Sequence, residues 1–251
     1  VLAGGLLRRF GAPSRIVWAR LALLGTHMSF LRVANVGRME MLTLACVTGA
    51  MATYLRFWES RRSRLLAAAG LLSGLACLTH PAGIVGAGTI VLHYLLNRGT
   101  GGIRGKEILT FAGPVFVPLL PWLAYVLQAP DLFLSQFAGQ FVRKVAAYGI
   151  TVPSFQALLE WSLHPWVAAA WGVTSPAAIF VSVFVYFAMA VMSLRGLTGP
   201  RNLRAHASLL GIWVVAGFVL CLFTWEFWYT VYFAAPLALL LAVSASDTQS
   251  G

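Results

Sequence analysis

The chain has 251 residues, of which 59% are hydrophobic and only 10% are charged, and its mean hydropathy is +0.81. A water-soluble domain of this length cannot bury so much apolar surface, so the composition argues against an ordinary soluble fold. The formal net charge of +11 would suit nucleic acid, but the basic residues form short clusters between apolar stretches, so we expect no nucleic-acid partner.

Repeated apolar stretches of about 17–22 residues are long enough to cross a hydrocarbon core of about 30 Å as helices. We therefore expect an all-α fold, a polytopic integral membrane bundle of about eight transmembrane helices in a single domain over 1–251. The three cysteines lie in apolar runs without metal-ligand spacing, and no metal site is predicted. Because Val1 begins inside the tail of an apolar run, we expect a fragment that lacks its N-terminal part.

The first half of the chain contains a predicted helical hairpin. The helices expected there cover 14–30, 39–58, 65–79 and 82–97. The last two are separated at His80-Pro81, because proline has no N–H to continue a helix and restricts the residue before it. The first arm of this hairpin is rich in small residues, which favours close helix packing.

The second half begins with a helix at 107–127 that carries three prolines and is expected to be kinked. An outer loop follows at 128–174, with amphipathic interfacial pieces around 133–145 and 155–163. The remaining predicted helices cover 176–194, 206–223 and 227–243.

Basic residues set the expected orientation. If the predicted helices alternate in direction, all but four of the 18 lysines and arginines fall on one side, which the positive-inside rule assigns to the cytoplasm. The four on the outer side are Arg32, Arg38, Arg143 and Lys144. The sequence therefore predicts that candidate chemistry lies at the outer face of a plasma membrane.

Arg38 and Glu40 stand at the outer start of the second helix. A carboxylate there meets the positive end of the helix dipole, so Glu40 could be a simple helix-start residue with a neighbouring ion pair. Ionisable groups at membrane depth are costly and are often functional, which makes the pair a candidate site.

His80, at the hairpin tip, has two interpretations. It could bind a phosphate or a sugar hydroxyl, or take part in proton transfer. Alternatively, it could cap helix-end carbonyl groups and have only a structural function.

The outer loop carries the adjacent cations Arg143 and Lys144 beside several phenylalanines. Two cations suit an anionic lipid head group or another phosphate, although a solvated pair on an interfacial helix would have the same sequence. Near the C-terminus, Trp228 and Tyr229 could belong to an aromatic belt or stack on a sugar, and Glu226 could be a loop carboxylate or a substrate contact.

Four segments resemble the dolichyl-phosphate-mannose protein mannosyltransferase-like family, which belongs to the C-type superfamily of membrane glycosyltransferases. They are ARLALL at 19–24, NVGRMEML at 35–42, AGLLSGLACLTHPAG at 69–83 and WYTVYFAAPLAL at 228–239. The resemblance implies a polyprenyl-phosphate sugar donor, a protein or lipid acceptor, and transfer at the outer face of a bacterial or archaeal plasma membrane.

The resemblance also implies functions for individual residues. In this family a carboxylate of the first outer loop is the general base, and that loop would precede Val1. Glu40 matches the second acidic position, beside Arg38, and His80 stands where many members carry a lysine or histidine. Arg143 or Lys144 could then serve the donor phosphate. Whether the reaction requires a divalent metal is left open by the resemblance.

Two other classes fit the same composition. A transporter or flippase for lipid-linked substrates would carry ionisable residues in the middle of its helices. A structural membrane subunit would tolerate replacement of its outer polar residues. The predicted concentration of charge at the outer rim favours the enzyme.

Overall fold

The computed structural model describes residues 39–97, 105–148 and 201–224, together with Tyr232, Ala235, Pro236 and Leu239. These residues are helical and contain no strand, which confirms the predicted all-α class for the described part of the chain. The helices are α1 Met39–Ser60, α2 Ser63–Thr79, α3 Ile84–Asn97, α4 Gly105–Phe116, α5 Leu119–Val126, α6 Pro130–Tyr148 and α7 Arg201–Thr224, with a 3-10 turn at Pro81–Gly83.

The turn between α1 and α2 is built around Arg61. Its backbone is left-handed, with φ at 54°, and its N–H donates to the Phe57 carbonyl at 2.7 Å, which ends α1. A left-handed non-glycine residue is disfavoured, but the guanidinium lies 4.4 Å from the ring centre of Trp58 and gains a cation–π contact. The turn therefore reverses the chain direction, and α2 runs antiparallel to α1.

α2 packs closely on α4 because it has glycines where the two backbones meet. A Cβ at Gly70 would overlap the Phe111 carbonyl oxygen, and one at Gly74 would overlap the Val115 carbonyl oxygen. Both glycines are buried, and they are four residues apart on one helix face. The small residues predicted to favour close packing therefore do so, and α2 packs directly against the backbone of α4.

The break at His80-Pro81 lies where the sequence predicts it. His80 is extended, with φ at −160° and ψ at 138°, as expected before a proline. A 3-10 turn over Pro81–Gly83 then leads into α3, so the predicted second arm at 82–97 begins with this turn and becomes α-helical at Ile84.

The predicted kinked helix at 107–127 consists of two helices. α4 ends at Phe116 and α5 begins at Leu119, and their axes differ by 53°. Pro118, which precedes α5, cannot donate a backbone hydrogen bond, and this explains the bend. Pro114 lies inside α4, so a proline alone does not decide where the helix breaks.

Within the described residues, no single helix is both long and apolar enough to cross a membrane by itself. The bent pair of α4 and α5 reaches that length and composition together. The predicted number of about eight crossings therefore stays a prediction.

α6 covers the first interfacial piece expected in the outer loop and extends it at both ends. Pro130 occupies the first helical position and Asp131 the first turn, both favourable there. The helix is largely exposed, including Leu134 and Phe137. α7 begins at Arg201, before its predicted start. The predicted elements at 14–30, 155–163 and 176–194, and most of 227–243, lie outside the described residues.

We predict that Gly74→Ala lowers the free energy of unfolding. The added methyl group would overlap backbone atoms of α4, which cannot move without separating α2 from α4. Overpacking of this kind costs about 1–3 kcal/mol. Thermal unfolding followed by circular dichroism measures the loss.

Gly113→Ala is the matched control, because a Cβ at Gly113 meets nothing within 4 Å. We expect this variant to unfold at or slightly above the parental temperature, since alanine favours the helix. Equal stability of the two variants would contradict the close packing of α2 on α4.

Candidate functional site

Glu40 and His80 are brought to the same end of the bundle. Glu40 lies in the first turn of α1, and His80 follows the last residue of α2. The hydroxyl groups of Thr43 and Thr79 lie 2.9 Å apart and hydrogen-bond between the two helices. We call this region, residues 39–43 and 79–83, the hairpin-tip end.

Glu40 is buried, with 3% of its surface exposed. A carboxylate loses much hydration when it is buried, so it needs polar neighbours, and the amides at the start of α1 provide a favourable field. The side chain has interaction partners in the protein. Its burial suits a residue that holds neighbouring groups in position better than one that receives a substrate directly from solvent.

His80 is half-buried and caps the 3-10 turn. Its Nδ1 accepts a hydrogen bond from the Ala82 N–H at 3.1 Å, and its carbonyl accepts one from the Gly83 N–H at 2.8 Å. The ring thus caps an amide N–H instead of the carbonyl groups considered from the sequence. Because Nδ1 accepts, the neutral ring carries its proton on Nε2, which is then a hydrogen-bond donor.

The other predicted site residues are not assembled with these two by the described structure. Arg143 is exposed on α6 and donates to Gln140 Oε1 at 2.7 Å. Lys144 lies in the same helix, but its side chain is outside the described part. The remaining candidates that fall outside the described residues are Arg38, Glu226, Trp228 and Tyr229.

A second polar group, at the opposite end of the bundle, was not predicted. The Tyr54 hydroxyl and His93 Nδ1 lie 2.9 Å apart, and His93 is fully buried. The Tyr94 hydroxyl donates to Glu107 Oε2 at 2.5 Å, which links α3 to α4. We call this region, around residues 54–62, 93–97 and 105–107, the arginine-turn end.

α7 joins the arginine-turn end through two further contacts. His206 Nε2 lies 3.5 Å from Glu59 Oε1, and the Asn97 amide lies 3.4 Å from the Ser208 hydroxyl. The Trp58 ring packs edge-on against His93, with 5.1 Å between ring centres. A histidine inside an otherwise apolar helix was the sequence signal for this group, but its partners are distant in sequence.

Among the described residues, no group of three or more histidine, cysteine, aspartate or glutamate side chains could hold a metal ion. Among the cysteines whose side chains the structure describes, Cys46 and Cys77 are free thiols. The described geometry therefore assigns no metal ligands.

No family model matches the chain, and neither the curated proteins nor the solved structures include a significant match. The resemblance to the mannosyltransferase-like family therefore depends on the quoted sequence segments.

We predict that Tyr54→Phe destabilises the protein by about 1–3 kcal/mol, because it removes a hydrogen-bond partner of a fully buried imidazole. Chemical or thermal unfolding of the purified protein measures this change.

Tyr125→Phe removes the same hydroxyl from a side chain that is 72% exposed, and we expect it to be nearly neutral. A Tyr54→Phe variant as stable as this control would show that the pair with His93 contributes little to the fold.

Proposed function

We propose that this chain is an integral membrane glycosyltransferase of a bacterial or archaeal plasma membrane. It transfers a sugar from a polyprenyl-phosphate donor to a protein or lipid acceptor at the outer face. The observation that carries the proposal is that Glu40 and His80 lie at the same end of the bundle, since both belong to the segments that resemble this family.

Membrane residence is supported by the distribution of apolar side chains. Large hydrophobic residues are exposed along α3, α4 and α5, among them Ile84, Leu96, Leu109 and Leu120. Large exposed apolar surfaces are rare on soluble monomers and are typical of surfaces that face lipid or a partner. The exposed face of α6 would lie at the interface, with Arg143 available to lipid phosphates.

The proposed reaction is a displacement at the anomeric carbon of the sugar. An acceptor hydroxyl oxygen forms the new glycosidic bond while the bond from the anomeric carbon to the donor phosphate oxygen breaks. The acceptor proton passes to a carboxylate, and polyprenyl phosphate leaves with the bonding electron pair. Cations near the phosphate stabilise the developing negative charge, as is common in group transfer.

Each tip residue has a definite part in this proposal. His80 is assigned to a phosphate oxygen or a sugar hydroxyl of the substrate, with its ring held by the hydrogen bond that Nδ1 accepts from the turn. Glu40 is assigned as a positioning residue because its side chain is buried. By resemblance the general base is a carboxylate of the family's first outer loop, and Arg38, Lys144, Glu226, Trp228 and Tyr229 stay proposed contacts of donor or acceptor.

Replacing Glu40 by glutamine keeps its size and removes its charge. We predict that transfer of labelled sugar by the full-length protein from polyprenyl-phosphate donors falls by about 10²-fold, because positioned groups lose effectiveness when they are displaced. The protein should still fold, which its unfolding temperature checks.

Asp131→Asn is the control, because it removes an equivalent charge from an exposed position at the start of α6. It should leave transfer unchanged. Full activity of Glu40→Gln would remove Glu40 from the site. If Glu40→Gln does not fold, His80→Gln is tested instead, and we expect it to raise the KM for the donor.

A lipid-linked substrate transporter is the second candidate, and the arginine-turn end favours it. His93 is fully buried among aromatic side chains, and His206 lies beside Glu59, so ionisable groups occur within apolar helices. If lipid-linked sugar crosses a sealed bilayer and no donor is consumed, transport replaces transfer as the function.

A further inference from the structure

A cavity of about 280 Å³ lies between the first four helices. Tyr54 of α1, Leu66 of α2, Ile90 of α3 and Phe111 of α4 contribute to its wall. Its lining is almost wholly apolar, since the polar atoms of Tyr94 and Glu107 at one end are engaged with each other. Apolar cavities exclude water and bind apolar molecules, and their walls lose dispersion contacts when nothing fills them.

The cavity opens between α3 and α4. Val91 and Leu95 of α3 and Ile108 and Phe116 of α4 line it, yet each is more than a third exposed. These residues belong to the exposed apolar surface that the proposed function places against lipid. An apolar chain in the bilayer could therefore enter the cavity sideways without crossing water.

The charge at one end of the cavity indicates which lipid would fit. The Tyr94–Glu107 contact lies at the arginine-turn end, where the chain passes from Asn97 to Gly105. Lys106 is exposed at the start of α4, and Arg61 and Arg62 are exposed in the turn between α1 and α2 at the same end. Basic residues beside an apolar groove on the cytoplasmic side attract anionic head groups.

We propose that the cavity holds one acyl chain of an anionic phospholipid from the inner leaflet, inserted between α3 and α4. The proposal rests on the membrane location argued above. It concerns a different place from the sugar-donor site, which is assigned to the hairpin-tip end. The bound lipid fills the space between four helices and so stabilises the packed bundle, because any ligand that binds only the folded state does so.

The test measures lipid retained by the full-length protein reconstituted in mixed bilayers of phosphatidylglycerol and phosphatidylcholine. Native mass spectrometry after gentle extraction counts the lipids bound. We expect the parental protein to retain one phosphatidylglycerol in preference to phosphatidylcholine. Ala112→Phe, which fills the cavity from α4, should lower this retention by about tenfold or more, because an aromatic ring excludes several methylene groups.

Leu109→Phe is the control, since Leu109 is on the same helix, is 72% exposed and does not line the cavity. It should retain lipid like the parent. Ala87→Leu fills the cavity from α3 and replaces Ala112→Phe if that variant does not fold.

Equal lipid retention by the cavity-filling variants and the control would overturn the site. Equal retention of the two lipids by the parent would overturn the choice of an anionic head group. Failure to reconstitute in any bilayer would instead overturn the membrane location itself. Sugar transfer is measured separately, so the lipid site and the proposed glycosyltransferase activity can fail independently.

Discussion

The contact of α2 with α4 is the constraint on which the rest of the described structure depends. Gly70 and Gly74 allow the α4 backbone to lie directly against α2, so the position of α4 depends on α2. Pro118 then lies beside Gly74, where α4 ends, and the chain bends into α5. α3 packs against α1, where Gly86 lies beside Val47. The space left between α3 and α4 is the apolar cavity.

This arrangement gives the bundle two chemically different ends. At the hairpin-tip end, Thr43 bonds to Thr79 between Glu40 and His80, and the His80 ring is held by its bond to Ala82. At the arginine-turn end, the buried Tyr54 pairs with the buried His93, and Tyr94 pairs with the half-buried Glu107. The first end suits recognition of a polar substrate. The second suits helix association, because paired buried polar groups fix which helices meet.

The sequence predicted the elements that depend on local chemistry. Proline placed the break at His80-Pro81 and predicted a bend within 107–127, and small residues in α2 indicated close packing. The same reasoning could not identify Pro118 over Pro114, because both prolines obey the same local rule and the choice depends on what α4 packs against. The pair of Tyr54 with His93 spans 39 residues, so no local pattern contains it. The burial of Glu40 was likewise missed, because its surroundings include residues remote in sequence.

The proposed function requires that the two ends of the hairpin lie on opposite sides of a membrane, with the His80 turn outside. Cysteine-scanning with an impermeant maleimide tests it most directly, after the three native cysteines are replaced. We expect Pro81→Cys to react in intact cells, whereas Arg62→Cys should react only after the membrane is opened. Reaction of both positions from the same side would contradict the proposed topology and, with it, an outer-face site built on Glu40 and His80.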